Sequence, residues 1–164
     1  MKELREAAEA MERMVAAQGN AGKNLWCVVS FDGGAKVWTF GSGKGFEGTE
    51  VNKGTNMDAE ERMATYFPNM IAEHGRHPAS VQMITRATPC NRLCTGLIRH
   101  LAARFPSIAM ITIASWEDYR GQSANETATS KALLNEIVIA AGFDVEIKLV
   151  EGRDIGWADL LPSA

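Results

Sequence analysis

Two short stretches carry the residue types with most chemistry to offer. "TPCNRLC", residues 88–94, sets Cys90 and Cys94 four positions apart behind a threonine and a proline. Thr88 suits a helix N-cap and Pro89 suits the first helical position. Cys90 then falls in a first turn, where unbonded amides and the positive helix end favour a thiolate. Residues four apart share a helix face. Two thiolates on one tetrahedral zinc lie ~3.8 Å apart, given Zn–S bonds of about 2.3 Å, and such a pair can reach that spacing. The same cysteines also read as small buried hydrophobes.

The second stretch is "NMDAEE", residues 56–61. Asp58 offers an oxygen ligand, and Glu60 a carboxylate able to move protons. Positions 58 and 60 diverge inside a helix and converge only on a point off its N-terminal end. That end is also where a helix best tolerates negative charge. Together the two stretches suggest two helix starts aimed at one metal. Taken alone, the acidic run also reads as a first turn that offsets the helix dipole. His74, His77 and His100 lie well inside or beyond their helices and rank below Asp58 as ligands.

These residues need elements to hold them. Residues 2–17 read as an amphipathic helix, with Leu4, Ala8, Met11 and Val15 at helical spacing. "NLWCVVSFD" and "AKVWTFGSG" are β-rich runs around Asp32-Gly33-Gly34, a hairpin signal. Residues 41–56 form a glycine-rich loop. Helical spacing returns over 57–74 in Ala59, Met63, Phe67, Met70 and Ile71, where Pro68 predicts a kink or an early end. "SVQMITRA" is a strand, and residues 89–105 a helix stopped by Pro106. "IAMITIASW", nearly all apolar, predicts a central strand covered on both faces. The polar loop "EDYRGQSANETA" contains Ser123-Ala124-Asn125-Glu126, which has capping-box form. A helix with Leu133, Leu134, Ile137, Val138 and Ala141 ends at Gly142, "DVEIKLVE" is a last strand, and the tail to Ala164 is irregular. The order α-β-β-α-β-α-β-α-β predicts an α/β fold: a three-layer α/β/α sandwich on a mixed five-strand sheet, with an antiparallel opening hairpin and parallel crossovers thereafter.

A chain of 164 residues fits one domain, 1–164, and needs no staples to bury a core. No apolar run approaches a membrane span. The charged N-terminal helix is not a signal peptide, and three cysteines, an odd count, favour a reducing compartment, so the expectation is cytoplasmic. A net charge of −3 lacks the basic signature of a duplex-binding protein.

The ordered combination of an acidic x-Ala-Glu opening one helix, a strand, and Pro-Cys…Cys opening the next resembles the zinc-dependent nucleobase deaminase superfamily. That family carries His-x-Glu followed by Pro-Cys-x-x-Cys. The layout over residues 2 to about 150 is similar too. A helix between the last two strands resembles the branch that holds tRNA adenosine deaminases, antiviral DNA cytosine deaminases and several bacterial deaminase toxins. There are two departures. Asp58 stands where the family has histidine, and Asn91, Arg92 and Leu93 separate the cysteines where two residues are usual. Histidine with two thiolates neutralises Zn²⁺. Aspartate with two thiolates leaves net −1, hence a weaker Lewis acid.

The resemblance implies a cytidine deaminase-like fold with one Zn²⁺ per chain, held by Asp58, Cys90 and Cys94 with a fourth position open to water. Glu60 would be the proton carrier in a hydrolytic attack on C4 of cytosine or C6 of adenine, and Glu61 would face solvent. In the nucleic-acid branch, the loop after the fourth strand carries aromatics that stack on a base. Here that loop is "SWEDYRGQ", where Trp116, Tyr119 and Arg120 supply π faces and a cation. Trp116 also reads as a strand residue packed in the core. Asn52 or Asn56 could hydrogen-bond a sugar or base. Lys23, Lys44, Lys53, Arg86 and Arg92 could form a modest groove, in competition with Glu47, Glu50, Glu117 and Asp118.

The leading expectation is deamination of cytosine in single-stranded DNA or RNA. One alternative is an enzyme on free nucleosides, nucleotides or bases. Another is an inactive zinc-binding interaction module closed by a fourth protein ligand such as His100. A homo-oligomer is expected by the same resemblance.

Overall fold

The computed structural model describes residues 2–17, 25–42, 58–87, 94–117, 123–129, 132 and 146–151. Its elements are α1 (Lys2–Ala17), β1 (Trp26–Phe31), β2 (Trp38–Gly41), α2 (Ala59–His74), β3 (Ser80–Ala87), α3 (Cys94–Arg104), β4 (Met110–Glu117) and β5 (Glu146–Glu151). The fold is mixed α/β. The strands lie in the order β2-β1-β3-β4-β5. β1 pairs antiparallel with both β2 and β3, while β3–β4 and β4–β5 are parallel.

Side-chain alternation along the strands decides which helix covers which face. Cys27, Val29, Phe31, Val81, Met83, Ile111 and Ile113 pack with Ala59, Met63, Phe67 and Met70 of α2 and Ile98 and Leu101 of α3. The intervening Trp26, Val28, Ile84 and Ala114 pack with Leu4, Ala8, Met11 and Val15 of α1. So α1 covers one face, and α2 and α3 cover the other. The α1 stripe is the one its spacing predicts.

A polar cluster also ties α1 to the sheet. Glu12 accepts hydrogen bonds from Trp26 Nε1 at 2.9 Å and from Arg86 Nε at 3.0 Å on one oxygen, and from Arg86 Nη2 at 3.4 Å on the other. The Arg86 side chain is 5% exposed. This corrects its expected place in a basic groove. In β3 position 86 alternates onto the α1 face, where its charge is already matched by a carboxylate.

The hairpin turn forms as expected. Gly34 N donates to Phe31 O at 2.9 Å, with Asp32 and Gly33 both at positive φ (54° and 64°), the conformation of a twisted hairpin turn. Asp32 then acts as a hub. Its Oδ1 accepts from the amides of Ala79 at 2.8 Å and Ser80 at 2.9 Å, and its Oδ2 pairs with His74 Nε2 at 2.9 Å and Arg76 Nε at 3.4 Å. Burial acts to raise the Asp32 pKa. The bonds from His74, Ser80 and Ala79 and the Arg76 charge outweigh it, and the carboxyl stays below its ordinary value.

Helix α2 does not end at Pro68. The proline removes one backbone donor, but it lies on the exposed side, and the buried Phe67 and Met70 beside it hold the helix on course to His74. The helix closes at Gly75, whose φ of 84° is left-handed and whose amide donates to Ile71 O at 2.9 Å. Strand β4 runs through Ser115 and Trp116, as the apolar run predicts, and on to Glu117, which was expected in the following loop. The ladder to β3 sets this limit, since Ala87 still pairs with Glu117. The capping box is present: Glu126 N donates to Ser123 Oγ at 3.2 Å, and Ser123 N reaches Glu126 Oε1 at 3.5 Å. The helix expected to carry Leu133 to Ala141 lies, beyond residues 124–129 and 132, outside the described residues.

Candidate functional site

Both α2 and α3 start at one end of the sheet. The reason is length and anchoring. The C-terminus of α2 is fixed at the far end, where His74 meets Asp32, just past β1. Sixteen residues of helix span about 24 Å and eight residues of strand about 26 Å, so the start of α2 must lie at the opposite end. Helix α3 is anchored at the same far end. Phe105 packs on Phe67 with ring centroids 4.9 Å apart, and Ser107 Oγ donates to Pro78 O at 2.9 Å. Its start therefore lies toward the end where β3 finishes.

Asp58 is the N-cap of α2, in extended conformation (φ −64°, ψ 153°), and its backbone carbonyl accepts the first helical bond from Arg62 N at 3.0 Å. Its side chain does not cap the helix and is half-buried. Glu60 lies in the first turn and is buried, at 7% exposure. Ionised carboxylates are rarely buried unless paired or used. Glu61 is half-buried, where solvent exposure was expected. Cys94 is the first residue of α3. Cys90, Asn52, Asn56, Tyr119 and Arg120 lie outside the described residues, as do Lys23, Lys44, Lys53 and Arg92; Trp116 is the seventh residue of β4.

Beneath the two helix starts, one register row crosses the sheet. Cys27 pairs with Thr85, and Thr85 with Ser115. The two hydroxyls share a hydrogen bond of 3.0 Å, and all three residues are fully buried. Burial pushes the Cys27 thiol well above its ordinary pKa, and the nearby charge of Glu60 adds to the shift. The sulfur is therefore a neutral thiol at physiological pH and not a nucleophile. Sequence reading left Cys27 unassigned. Its alternation with Val29 and Phe31 was the available signal, and its closeness to Glu60 depends on how α2 crosses the strand.

Among the described residues, no three His, Cys, Asp or Glu side chains are grouped as a metal site. The two helix starts nonetheless bring an oxygen donor, Asp58, and a thiol-bearing residue, Cys94, to the same end of the sheet. The alternative ligands are placed elsewhere: His74 is at the opposite end of α2, bound to Asp32, and His100 is exposed. Among the described residues, no helix is long and apolar enough to cross a membrane. The sequence matches no family model and no curated protein.

Proposed function

We propose that the chain is a zinc-dependent nucleobase deaminase of cytidine deaminase-like fold, acting on cytosine in single-stranded nucleic acid. The observation that carries this reading is a buried carboxylate, Glu60, in the first turn of a helix that starts at the same end of the sheet as the cysteine-bearing helix. The parallel β4–β5 pairing adds support, because parallel neighbours need a crossover segment, as in the branch with a helix between its last two strands.

Asp58, Cys90 and Cys94 would hold the zinc. When bound, zinc supplies Lewis acidity that makes water available as a nucleophile near neutral pH. Glu60 would be the proton carrier. It would take a proton from the attacking water and pass it to the ring nitrogen, then take the second proton from the newly added hydroxyl and pass it to the amino group, which departs as ammonia and leaves the carboxylate regenerated. Its burial keeps bulk water from competing for those protons. Tyr119 and Arg120 are the proposed contacts to the strand, and Asn52 or Asn56 to the sugar or base.

The test is direct. Purified protein should carry about one zinc per chain and release ammonia from a cytosine-containing single-stranded oligonucleotide, with uracil found by mass analysis. Glu60→Gln should retain zinc and lose about 100-fold or more in kcat. Turnover of free cytidine with none of the oligonucleotide would move the substrate to free nucleosides. Zinc-free protein without turnover would remove the reading.

A further inference from the structure

The cluster of Glu12, Trp26 and Arg86 lies on the face of the sheet turned away from the candidate site, yet at the same end. Cys27 and Thr85 are opposite one another in the β1–β3 ladder. One step further toward that end, Trp26 and Arg86 face α1 while Cys27 and Thr85 face α2. Arg86 is followed by Ala87, the last residue of β3, and the chain then leads to Cys90. Glu12 thus bonds side chains from both strand ends that underlie the site.

Docking α1 does not by itself call for this arrangement. The apolar stripe Leu4, Ala8, Met11 and Val15 already packs it on the sheet. A buried ion pair adds little stability over an apolar pair of equal volume. What three directional bonds add is position: the carboxylate can be satisfied only with the ends of β1 and β3 in one lateral arrangement. Catalytic geometry is sensitive on that scale, since a displacement of about 1 Å can cost about 100-fold in rate.

We propose that Glu12 is a positioning residue for the candidate site, a clamp on the reverse face of the sheet that fixes the strand ends beneath Glu60. The proposal rests on the deaminase reading for its activity readout and on amide exchange for a readout that does not need it.

Three variants test it: Glu12→Gln, the double variant Glu12→Gln/Arg86→Met, and Leu4→Ala as a control that loosens α1 elsewhere on the same stripe. In Glu12→Gln, exchange at residues 26–27 and 85–87 should accelerate and kcat should fall about tenfold with KM unchanged. The double variant should regain thermal stability relative to Glu12→Gln, because the Arg86 charge is removed together with its carboxylate partner, while kcat stays low. Leu4→Ala should lower Tm and leave kcat at 25 °C as in the wild type. Recovery of kcat together with Tm in the double variant would overturn the proposal, as would a loss of kcat in Leu4→Ala equal to that in Glu12→Gln. If the wild type holds no zinc and releases no ammonia, the deaminase reading fails by itself. Exchange then decides for the clamp: acceleration confined to the strand ends supports it, and unchanged exchange there overturns it.

Discussion

Asp32 shows how much one side chain can organise. It occupies a left-handed backbone conformation that most residues avoid, and its carboxylate collects two amides, an imidazole and a guanidinium. The aspartate-glycine pair was legible as a turn. The other partners were not, because His74 is 42 positions away and the Ala79 amide 47. Asn tolerates the same backbone, so Asp32→Asn isolates the charge. At pH 7 that variant should be about 2 kcal/mol less stable than the wild type. The folded pKa of Asp32 lies below its ordinary value. Its contribution is therefore present above the unfolded pKa of about 3.9 and is lost as pH falls through the folded value. Urea midpoints should accordingly converge between the two proteins as the pH is lowered toward 2.5. A gap that stays constant would show that the charge is not the stabilising feature. The same scale governs the candidate site. The types of Asp58, Glu60 and Cys94 were readable from the sequence, but the burial of Glu60 against half-burial of Glu61 depends on the angle at which α2 meets the sheet.

Among the elements, α2 links the two ends of the sheet, since it delivers Glu60 at one end and His74 at the other. Its buried stripe of Ala59, Met63, Phe67 and Met70 follows the helical spacing in the sequence. The early end that Pro68 allowed did not follow, because packing on either side outweighs one lost backbone bond. Glu73 adds to that hold, accepting from Trp38 Nε1 at 2.6 Å and Tyr66 Oη at 2.7 Å and pairing with Lys36 at 3.3 Å. Those bonds, with Lys36, keep the Glu73 carboxyl below its ordinary pKa against a small opposing effect of burial. Proline still costs a helix interior about 3 kcal/mol relative to alanine, part of which is returned by its stiffening of the unfolded chain. Pro68→Ala should therefore raise stability by about 1–2 kcal/mol, read as a higher urea midpoint with an unchanged m-value. A lower midpoint would mean that the proline's shape is itself required against its neighbours. The strand limits show the converse. The continuous apolar run identified β4, but its extension to Glu117 was set by pairing with β3, which local patterning does not contain.

At the scale of the whole molecule, the proposed metal couples segments far apart in the chain, residues 58 and 90–94, and so should link binding to stability. A ligand at about 1,000 times its Kd adds about 4 kcal/mol, or about 10 °C in Tm for a protein of this size. Zinc-loaded protein should lose a shift of that order when a chelator is added, and Cys90→Ala should melt at one temperature with or without it. A wild-type melt that ignores the chelator would count against the shared site. The sequence by itself determined the α/β class, the α1 and α2 stripes, the hairpin turn, the capping box and the residue types able to bind metal or move protons. Each of these is written in spacings shorter than about one helix, where periodicity and turn chemistry act directly. Tertiary structure alone decided that Arg86 meets Glu12 behind the sheet and that Cys27 lies near Glu60. Those outcomes depend on strand order, crossover direction and register between residues dozens of positions apart, and no local pattern specifies them.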